Sequence, residues 1–433
     1  MSLAVSTTKT NSKEYIYSIT IIGILFFTFG FITWVNGSLI QFLKIACELQ
    51  GDVQAFLVTF SFYMAYFVLA LPAAFVLKKT GFKNGMALGL LIIAIGSALF
   101  IPAANSRSFP LFLTGLFVQG SGLALLQTAS NPYISVIGPI ESAARRISIM
   151  GICNKAAGMI APIILSAVLL KNANALEEQI NNAVNNNHRN LLLDMLAQRV
   201  VTPYFFITFI LVLLALVIKR SALPEITISE EKRVKSIDNE TTPKNIFQFR
   251  HLLLGVLCIF LYVGVEVMAG DAIGIYGREM GISIDETAYF TTFTLVAMLI
   301  GYTVGVFAIP QFISQQMALK YSAVLGILLS IAIYFTTGYI AIIIIALLGL
   351  ANALMWPAIF PLAISGLGRF TKTGSALLVM GIAGGAVIPL LYATLKQKAA
   401  GFSNELAFLV CILPAYIYIF YYAIRGYKSK NKF

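Results

Sequence analysis

The sequence predicts an all-α membrane protein of twelve transmembrane helices in two related six-helix halves. Three observations carry this. Only 11% of the 433 residues are charged and 59% are hydrophobic, too little charge to cover the surface of a soluble protein of this length. Apolar stretches recur along the chain at the length a hydrocarbon core of roughly 30 Å demands, about 20 residues of helix. Two patterns also repeat at nearly one offset. Ala124–Pro132 reads ALLQTASNP and Ala353–Pro361 reads ALMWPAIFP, identical at four of nine positions and 229 residues apart. MGI stands at Met150 and again at Met380, 230 residues apart. Duplicated halves around a midplane binding site are a common plan of secondary transporters.

The segments follow in order. The first, 16–43, comes after a polar N-terminus without a cleavable signal pattern and is too long for a signal segment. The second and third, 53–77 and 84–104, flank the basic turn LKKTGFK. The fourth, 109–137, contains Pro132, and the fifth, 147–170, follows the basic AARR. The sixth, 201–218, lies between an Asn-rich loop holding His188 and the basic pair Lys219–Arg220. The polar stretch 221–249 then divides the chain, giving an N-terminal bundle (1–220), a cytoplasmic linker (221–249) and a C-terminal bundle (250–433). The seventh and eighth segments are 251–277 and 287–309. The uncharged run Tyr321–Gly368 is 48 residues long, enough for the ninth (316–336) and tenth (339–365), with TTG between them as the turn. The eleventh is 373–395 and the twelfth 405–424.

The net charge of +12 falls in short basic runs between apolar segments. That is the positive-inside pattern and not a nucleic-acid-binding stripe. With the N-terminus inside, twenty-one Lys and Arg residues fall on the cytoplasmic side and eight on the other, so both termini are expected in the cytoplasm of a bacterial inner (plasma) membrane protein. Cys47, Cys153, Cys258 and Cys411 lie far apart without metal or disulfide spacing and read as small packing residues. His188 and His251 sit in a polar loop and at a helix end, and neither reads as a catalytic base. No nucleotide-binding loop, metal cluster or Ser–His pair is present, so the sequence supports neither an enzyme nor an ATP-driven pump, and implies no cofactor.

Charges inside the hydrocarbon are the most informative positions, since each costs at least ~2.5–3.5 kcal/mol unless paired or hydrated. Three stand out. Lys155, in the fifth segment, has eight uncharged residues before it and fifteen after it. Glu266 and Asp271 lie in the seventh segment. On straight helices Lys155 and Glu266 differ in depth by about 9 Å, a gap that side-chain reach and a hydrated cavity can close. Glu266 and Asp271 would face directions roughly 140° apart on an ideal helix unless Gly264 and Gly270 loosen it. Two readings stand side by side: a fixed Lys155–acid strut between the halves, or an acid that binds a proton or cation during a transport cycle.

Polar uncharged residues at helical spacing come next. Gln127 and Asn131 share a face of the fourth segment, and Asn352 and Trp356 share one of the tenth. Asn154 adjoins Lys155, and Trp34 and Asn36 lie at mid-depth in the first. Amides that both donate and accept, beside an indole that can stack on a pyranose face, suit a sugar. Buried amides also serve simply as packing glue between helices.

Four stretches carry a family resemblance: FGFITWVNGSLI (Phe29–Ile40), LFVQGSGLALLQTASNPYISVIGPIES (Leu116–Ser142), YVGVEVMAGD (Tyr262–Asp271) and NALMWPAIFPLAISGLG (Asn352–Gly368) with the following GSALLVMGIAGGAVIPLL (Gly374–Leu391). The chain resembles, over nearly its whole length, the glucose/galactose transporter branch of the fucose symporter family, in the major facilitator superfamily. The resemblance implies the twelve-helix major facilitator fold, alternating access and cation-coupled sugar uptake. It also exposes departures. Fucose symporters carry an aspartate where this chain has Gly37 and a glutamate where it has Gln127, so their proton mechanism does not carry over. Glu266 matches a glutamate typical of the glucose/galactose branch, where the fucose symporters have an amide. Lys155 stands where the family usually has a small polar residue.

The expected function is therefore secondary active uptake of a monosaccharide, a glucose- or galactose-like hexose, by cation symport in a monomer embedded in the lipid bilayer. Gln127, Asn131, Asn154, Trp34, Asn36, Trp356 and Asn352 would bind sugar. Glu266, Asp271 and Lys155 would couple the ion. Sodium is the expected ion on the closer resemblance to the sodium-linked branch, with Glu266 and Asp271 as its candidate ligands. The alternative is proton-coupled or uncoupled hexose transport in which Lys155 is a built-in cation. Multidrug export would suit a more apolar cavity, and a membrane sugar sensor would carry a large appended domain.

Overall fold

The computed structural model describes residues 12–137, 143–183, 185–223, 245–398 and 403–428. Both chain termini and residues 224–244, most of the expected linker, lie outside the described residues. Among the described residues there are eleven apolar helical stretches long enough to cross a membrane, and they make twelve spans. The difference is the 55-residue run Gly51–Asn105, which turns at Gly81 (φ 76°, ψ 175°), inside the basic turn read from the sequence. A positive φ of this kind suits glycine, whose missing Cβ removes the steric penalty. The spans are α1 (Tyr15–Ala46), α2 and α3 (the two arms of Gly51–Asn105), α4 (Phe109–Ile134), α5 (Arg145–Leu169) and α6 (Asn186–Arg220). They continue as α7 (Arg250–Gly270), α8 (Ile284–Ala308), α9 (Gln315–Tyr334), α10 (Gly338–Ile364), α11 (Thr373–Gln397) and α12 (Asn404–Gly426). Large apolar side chains such as Phe209 on α6 and Ile340 on α10 remain exposed, as a lipid-facing belt requires.

Several spans are interrupted, and only some of the breaks lie beside a proline. α4 continues through Pro132, and the helix Gly384–Lys398 of α11 continues through Pro389. α1 loosens at Val35 between Trp34 and Asn36, where φ −65° and ψ −26° stay in the helical region. The expected seventh segment is not one helix: it ends at Gly270 and resumes as the short helix Ile273–Glu279, leaving Asp271 at the break. α10 restarts at Met355, where Pro357 falls in the new first turn and its missing N–H is no loss. α11 passes through a tight 3₁₀ turn at Gly381–Ala383. Irregular backbone at membrane depth is tolerated where protein or a water-filled cavity surrounds it.

The internal repeat reappears as packing. On α1, a Cβ at Gly30 would lie 1.8 Å from the carbonyl oxygen of Asn154 on α5. On α11, a Cβ at Gly384 would lie 1.6 Å from the carbonyl oxygen of Phe260 on α7. Residues 30 and 260, and 154 and 384, are each 230 apart. The two halves thus share one crossing, with the glycine on opposite members of the pair. A second equivalent pair follows: a Cβ at Gly120 of α4 would lie 2.2 Å from the carbonyl oxygen of Phe62 on α2, and one at Gly349 of α10 would lie 2.2 Å from that of Thr294 on α8.

Polar contacts between the first six spans and the last six gather from mid-depth to one end, where α1 leads into α2. There Asp52 bridges Lys44 and Lys396, each at 2.8 Å, and Lys396 also reaches Glu279 at 3.4 Å. Helix Ala173–Asn181, which follows α5, sends Glu177 to Arg278 and Asn174 to Asp285. Gln41 and Thr287 exchange two hydrogen bonds, and Ser166 donates to the carbonyl of Ala288. This end is latched across the interface.

Because a backbone carbonyl cannot yield as a flexible side chain can, Gly30→Ala is expected to destabilise the protein by about 1–3 kcal/mol. Gly23→Ala on the same helix, where the nearest atom would be 3.6 Å away, should fall within about 0.5 kcal/mol of the parent. Thermal unfolding of both variants in detergent checks this; equal losses would mean the close crossing does not constrain the fold.

Candidate substrate cavity and buried ion pair

The site begins with a glycine. A Cβ at Gly158 on α5 would stand 2.4 Å from Cδ1 of Trp34, so this residue lets the indole lie flat against α5. The Trp34 ring then faces Lys155, whose Nζ is 4.1 Å from the ring centroid. Trp34 Nε1 donates to Asn154 Oδ1 at 3.3 Å, and the Asn154 amide donates to the carbonyl of Phe26 at 3.3 Å. An ammonium over an indole gains about 2 kcal/mol or more when desolvated.

The full charge of Lys155 is met from the other half. Its Nζ donates to Oε1 of Glu266 on α7 at 2.8 Å, with the two side chains only 6% and 10% exposed. The pair joins α5 to α7 across the interface and closes the depth difference expected from straight helices. Removing either member of such a pair leaves an uncompensated buried charge, at a cost of about 3–5 kcal/mol.

Around the pair lies a cavity of about 100 Å³ lined from both halves. Of the residues singled out in the sequence, Trp34, Gln127, Asn131, Asn154, Lys155, Glu266 and Trp356 all line it. Gln127 is oriented by a bond from its amide to the Tyr66 hydroxyl at 3.0 Å, and Trp356 stacks on Phe360 at 5.6 Å. Three others stand apart. Asn352 is fully buried and accepts a hydrogen bond from Tyr416 at 2.8 Å, which ties α10 to α12 as packing. Asn36 is buried just past Val35 of α1 and does not line the cavity. Asp271 is 1% exposed at the α7 break and also lies off the lining. Among the described residues, no group of three or more His, Cys, Asp or Glu side chains could hold a metal ion.

The cavity also holds residues that sequence reasoning passed over. Tyr63 and Tyr66 on α2, Tyr262 on α7 and Tyr302 on α8 line it. Two of these were readable. Tyr63 and Tyr66 are three apart and share a helix face, and Tyr262 is four before Glu266 and shares its face. Tyr302 had no such signal, because only the packing of its ring against Gly151 of α5 brings it in. Amides, hydroxyls and two indoles around one charged pair can satisfy a polyhydroxylated ligand by two-way hydrogen bonding and stacking. His251 is not part of this site; its Nε2 is 2.9 Å from the carbonyl of Ser365 near the start of α7.

Twelve spans in repeated halves, closing on a shared polar cavity, define a polytopic carrier. The family model of the Major Facilitator Superfamily matches residues 22–391, and the chain belongs to that family. It is 35% identical over 426 residues to a glucose/galactose transporter of Brucella abortus biovar 1 (strain 9-941), covering 98% of this chain and 97% of that one. It is 29% identical over 410 residues to the L-fucose-proton symporter of Escherichia coli (strain K12), covering 94% and 93%. A solved structure of the transporter FucP in the outward conformation superposes with a TM-score of 0.75 at 28% identity, covering 96% of this chain and all of that one. The chain is a multi-pass membrane protein of a transporter family and not an enzyme.

Lys155→Met and Glu266→Gln should each destabilise the protein by about 3–5 kcal/mol. The double variant should recover a large part of that loss, with a coupling energy of about 0.5–3 kcal/mol. Thermal unfolding of the four proteins measures it, and strictly additive losses would show that the two residues act independently.

Proposed function

We propose that this protein takes up a hexose by proton symport through alternating access. The observation that carries the reading is the buried Lys155–Glu266 pair, which spans the two halves inside a cavity lined by amides and aromatic rings. Supporting it are relatives named as glucose/galactose transporters and an L-fucose-proton symporter. Gln127, Asn131, Asn154 and Trp356 bind the sugar, with Tyr66 holding Gln127. Asn352 and Asn36 stabilise the helices around them.

The proton displaces sodium as the coupling ion in this reading. Nζ of Lys155 already engages Glu266, so the protein supplies its own cation where sodium would sit. Glu266 and Asp271 then serve as acids and not as sodium ligands. Protonation of Glu266 would release the ammonium and loosen the tie between the halves, which links a proton to their relative motion. The bundle boundaries at 220 and 250 and the cytoplasmic placement of both termini belong to the same proposal. They rest on the charge asymmetry between the two faces. On that orientation the latched end faces outward and the protein lies in the inner membrane of a bacterium.

Uptake of labelled glucose, galactose and fucose into proteoliposomes under separate proton and sodium gradients tests the reading. Accumulation is expected under an inward proton gradient and not under sodium alone. Uptake indifferent to both gradients would sink symport. Glu266→Gln should abolish accumulation while leaving sugar exchange, since the cavity remains but the proton has lost its acceptor.

The outer latch yields a separate expectation. Asp52→Asn leaves Lys44 and Lys396 without their shared counter-ion and favours separation of the halves at that end. The chain's two tryptophans, Trp34 and Trp356, both line the cavity. Iodide added outside oriented proteoliposomes should therefore quench the variant more strongly than the parent. Unchanged quenching would mean the latch does not set the resting conformation.

A further inference from the structure

One buried acid has no part in the site as described. Asp271 lies five residues beyond Glu266, between the end of α7 and the helix that continues it. It is 1% exposed, and no side chain donates to either carboxylate oxygen; the backbone N–H of Gly37 on α1 faces it. Its neighbours from α1 and α8 carry no charge. A Cβ at Gly37 would stand 3.5 Å from Asp271 Oδ1, and the Thr291 hydroxyl donates elsewhere, to the carbonyl of Gly270 at 2.8 Å. The titratable groups in electrostatic range are Lys155 from α5, Tyr63 from α2 and Glu266 on its own span. One ammonium thus serves two carboxyls and is bonded to only one of them.

A buried carboxyl with no bonded counter-ion and no side-chain donor persists far more cheaply as the neutral acid than as the anion. One proton beyond the ammonium, held on Asp271, is the arrangement of the Lys155, Glu266 and Asp271 trio that this cost favours. We propose that Lys155 has two seats, Glu266 in the latched conformation described here and Asp271 once the opposite, cytoplasmic end opens, and that the carboxyl without the ammonium carries the transported proton. This deepens the proton-symport reading and rests on it. Asp271 is loaded when the latched end opens. Lys155 then passes a proton to the cavity-lining Glu266 and takes the proton of Asp271 in exchange. The result is a neutral Glu266, which can lose its proton to cavity water, and an ammonium paired with the Asp271 carboxylate. One proton leaves Asp271, one arrives on Glu266, and Lys155 ends with the charge it began with. The indole of Trp34 supports the exchange: its ring faces Nζ, and its Cζ3 would lie 2.3 Å from a Cβ on Gly270, beside Asp271. The aromatic face thus spans from one seat toward the other.

The test is sugar-driven proton uptake by proteoliposomes, read as protons moved per sugar, for the parent, Asp271→Asn and Lys155→Arg. The parent should move protons with sugar. Asp271→Asn should lose that proton movement and the pH dependence of its KM while still exchanging sugar, and Asp271→Glu should restore coupling. Lys155→Arg can pair with Glu266, but a guanidinium does not give up its proton in proteins, so proton movement per sugar should also be lost. Parental proton movement in Asp271→Asn would overturn the proposal and leave proton symport intact. If Asp271→Asn does not fold, Lys155→Arg decides alone, and coupled proton movement in that variant overturns the relay. A parent that moves sugar without protons would overturn both the relay and the symport reading.

Discussion

The Lys155–Glu266 pair is the constraint around which the centre of the molecule is arranged. Two charges at membrane depth are costly, and their attraction offsets that cost only when the geometry is good and the surroundings are polar enough. The chain supplies both. Gly158 brings Trp34 flat beneath the ammonium, Asn154 fixes the indole through its Nε1, and the cavity places tyrosines around the carboxylate. Because the two partners sit on different halves, anything that changes their charge also changes how firmly the halves are tied. That is the physical link between chemistry and motion that a coupled carrier requires.

The halves themselves are held differently along their depth. Near one end the interface is a set of ion pairs and hydrogen bonds among Lys44, Asp52, Lys396, Glu177 and Arg278. Lys44, Glu177 and Arg278 are about a third exposed, so their contacts are worth little alone, while Asp52 and Lys396 are nearly buried. At mid-depth the interface is a single, nearly dry pair. A distributed set of contacts at one end and a central pair at mid-depth are the arrangement that the proposed opening of one end needs. The close crossings at Gly30 and Gly384 tie the helices within each half.

Much of this was legible in the sequence, for identifiable reasons. Twelve spans followed from apolar length, since a bilayer imposes a minimum that few other folds need. The Lys155–Glu266 tie followed from the cost of isolated charge, which leaves a buried lysine few partners to choose from. Other features depended on tertiary placement. Asn352 shares a helix face with Trp356, yet it is directed to Tyr416 and not into the cavity. Asp271 could be read only as a charge near the outer end of a helix, because the break that buries it is made by packing against α1 and α8. The helix breaks were not readable either: α4 and α11 continue through Pro132 and Pro389, while α7 breaks at Asp271.

The repeat explains why the charged site is asymmetric. At an offset of 229 the mate of Glu266 is Gly37, and at 230 the mate of Lys155 is Gly385. Each member of the ion pair thus corresponds to a glycine in the other half. Those glycines are not idle. A Cβ at Gly37 would lie 2.5 Å from Thr291 Oγ1, and one at Gly385 would lie 2.9 Å from Val267 and 3.0 Å from Tyr63. Each makes room for side chains at the interface between halves. Placing the charges a second time at the related positions would put a carboxylate against Thr291 and Asp271 and an ammonium against Tyr63, in space now filled. A duplicated scaffold thus keeps its charged pair on one of two equivalent crossings. The glycines on the other crossing keep that chemistry single.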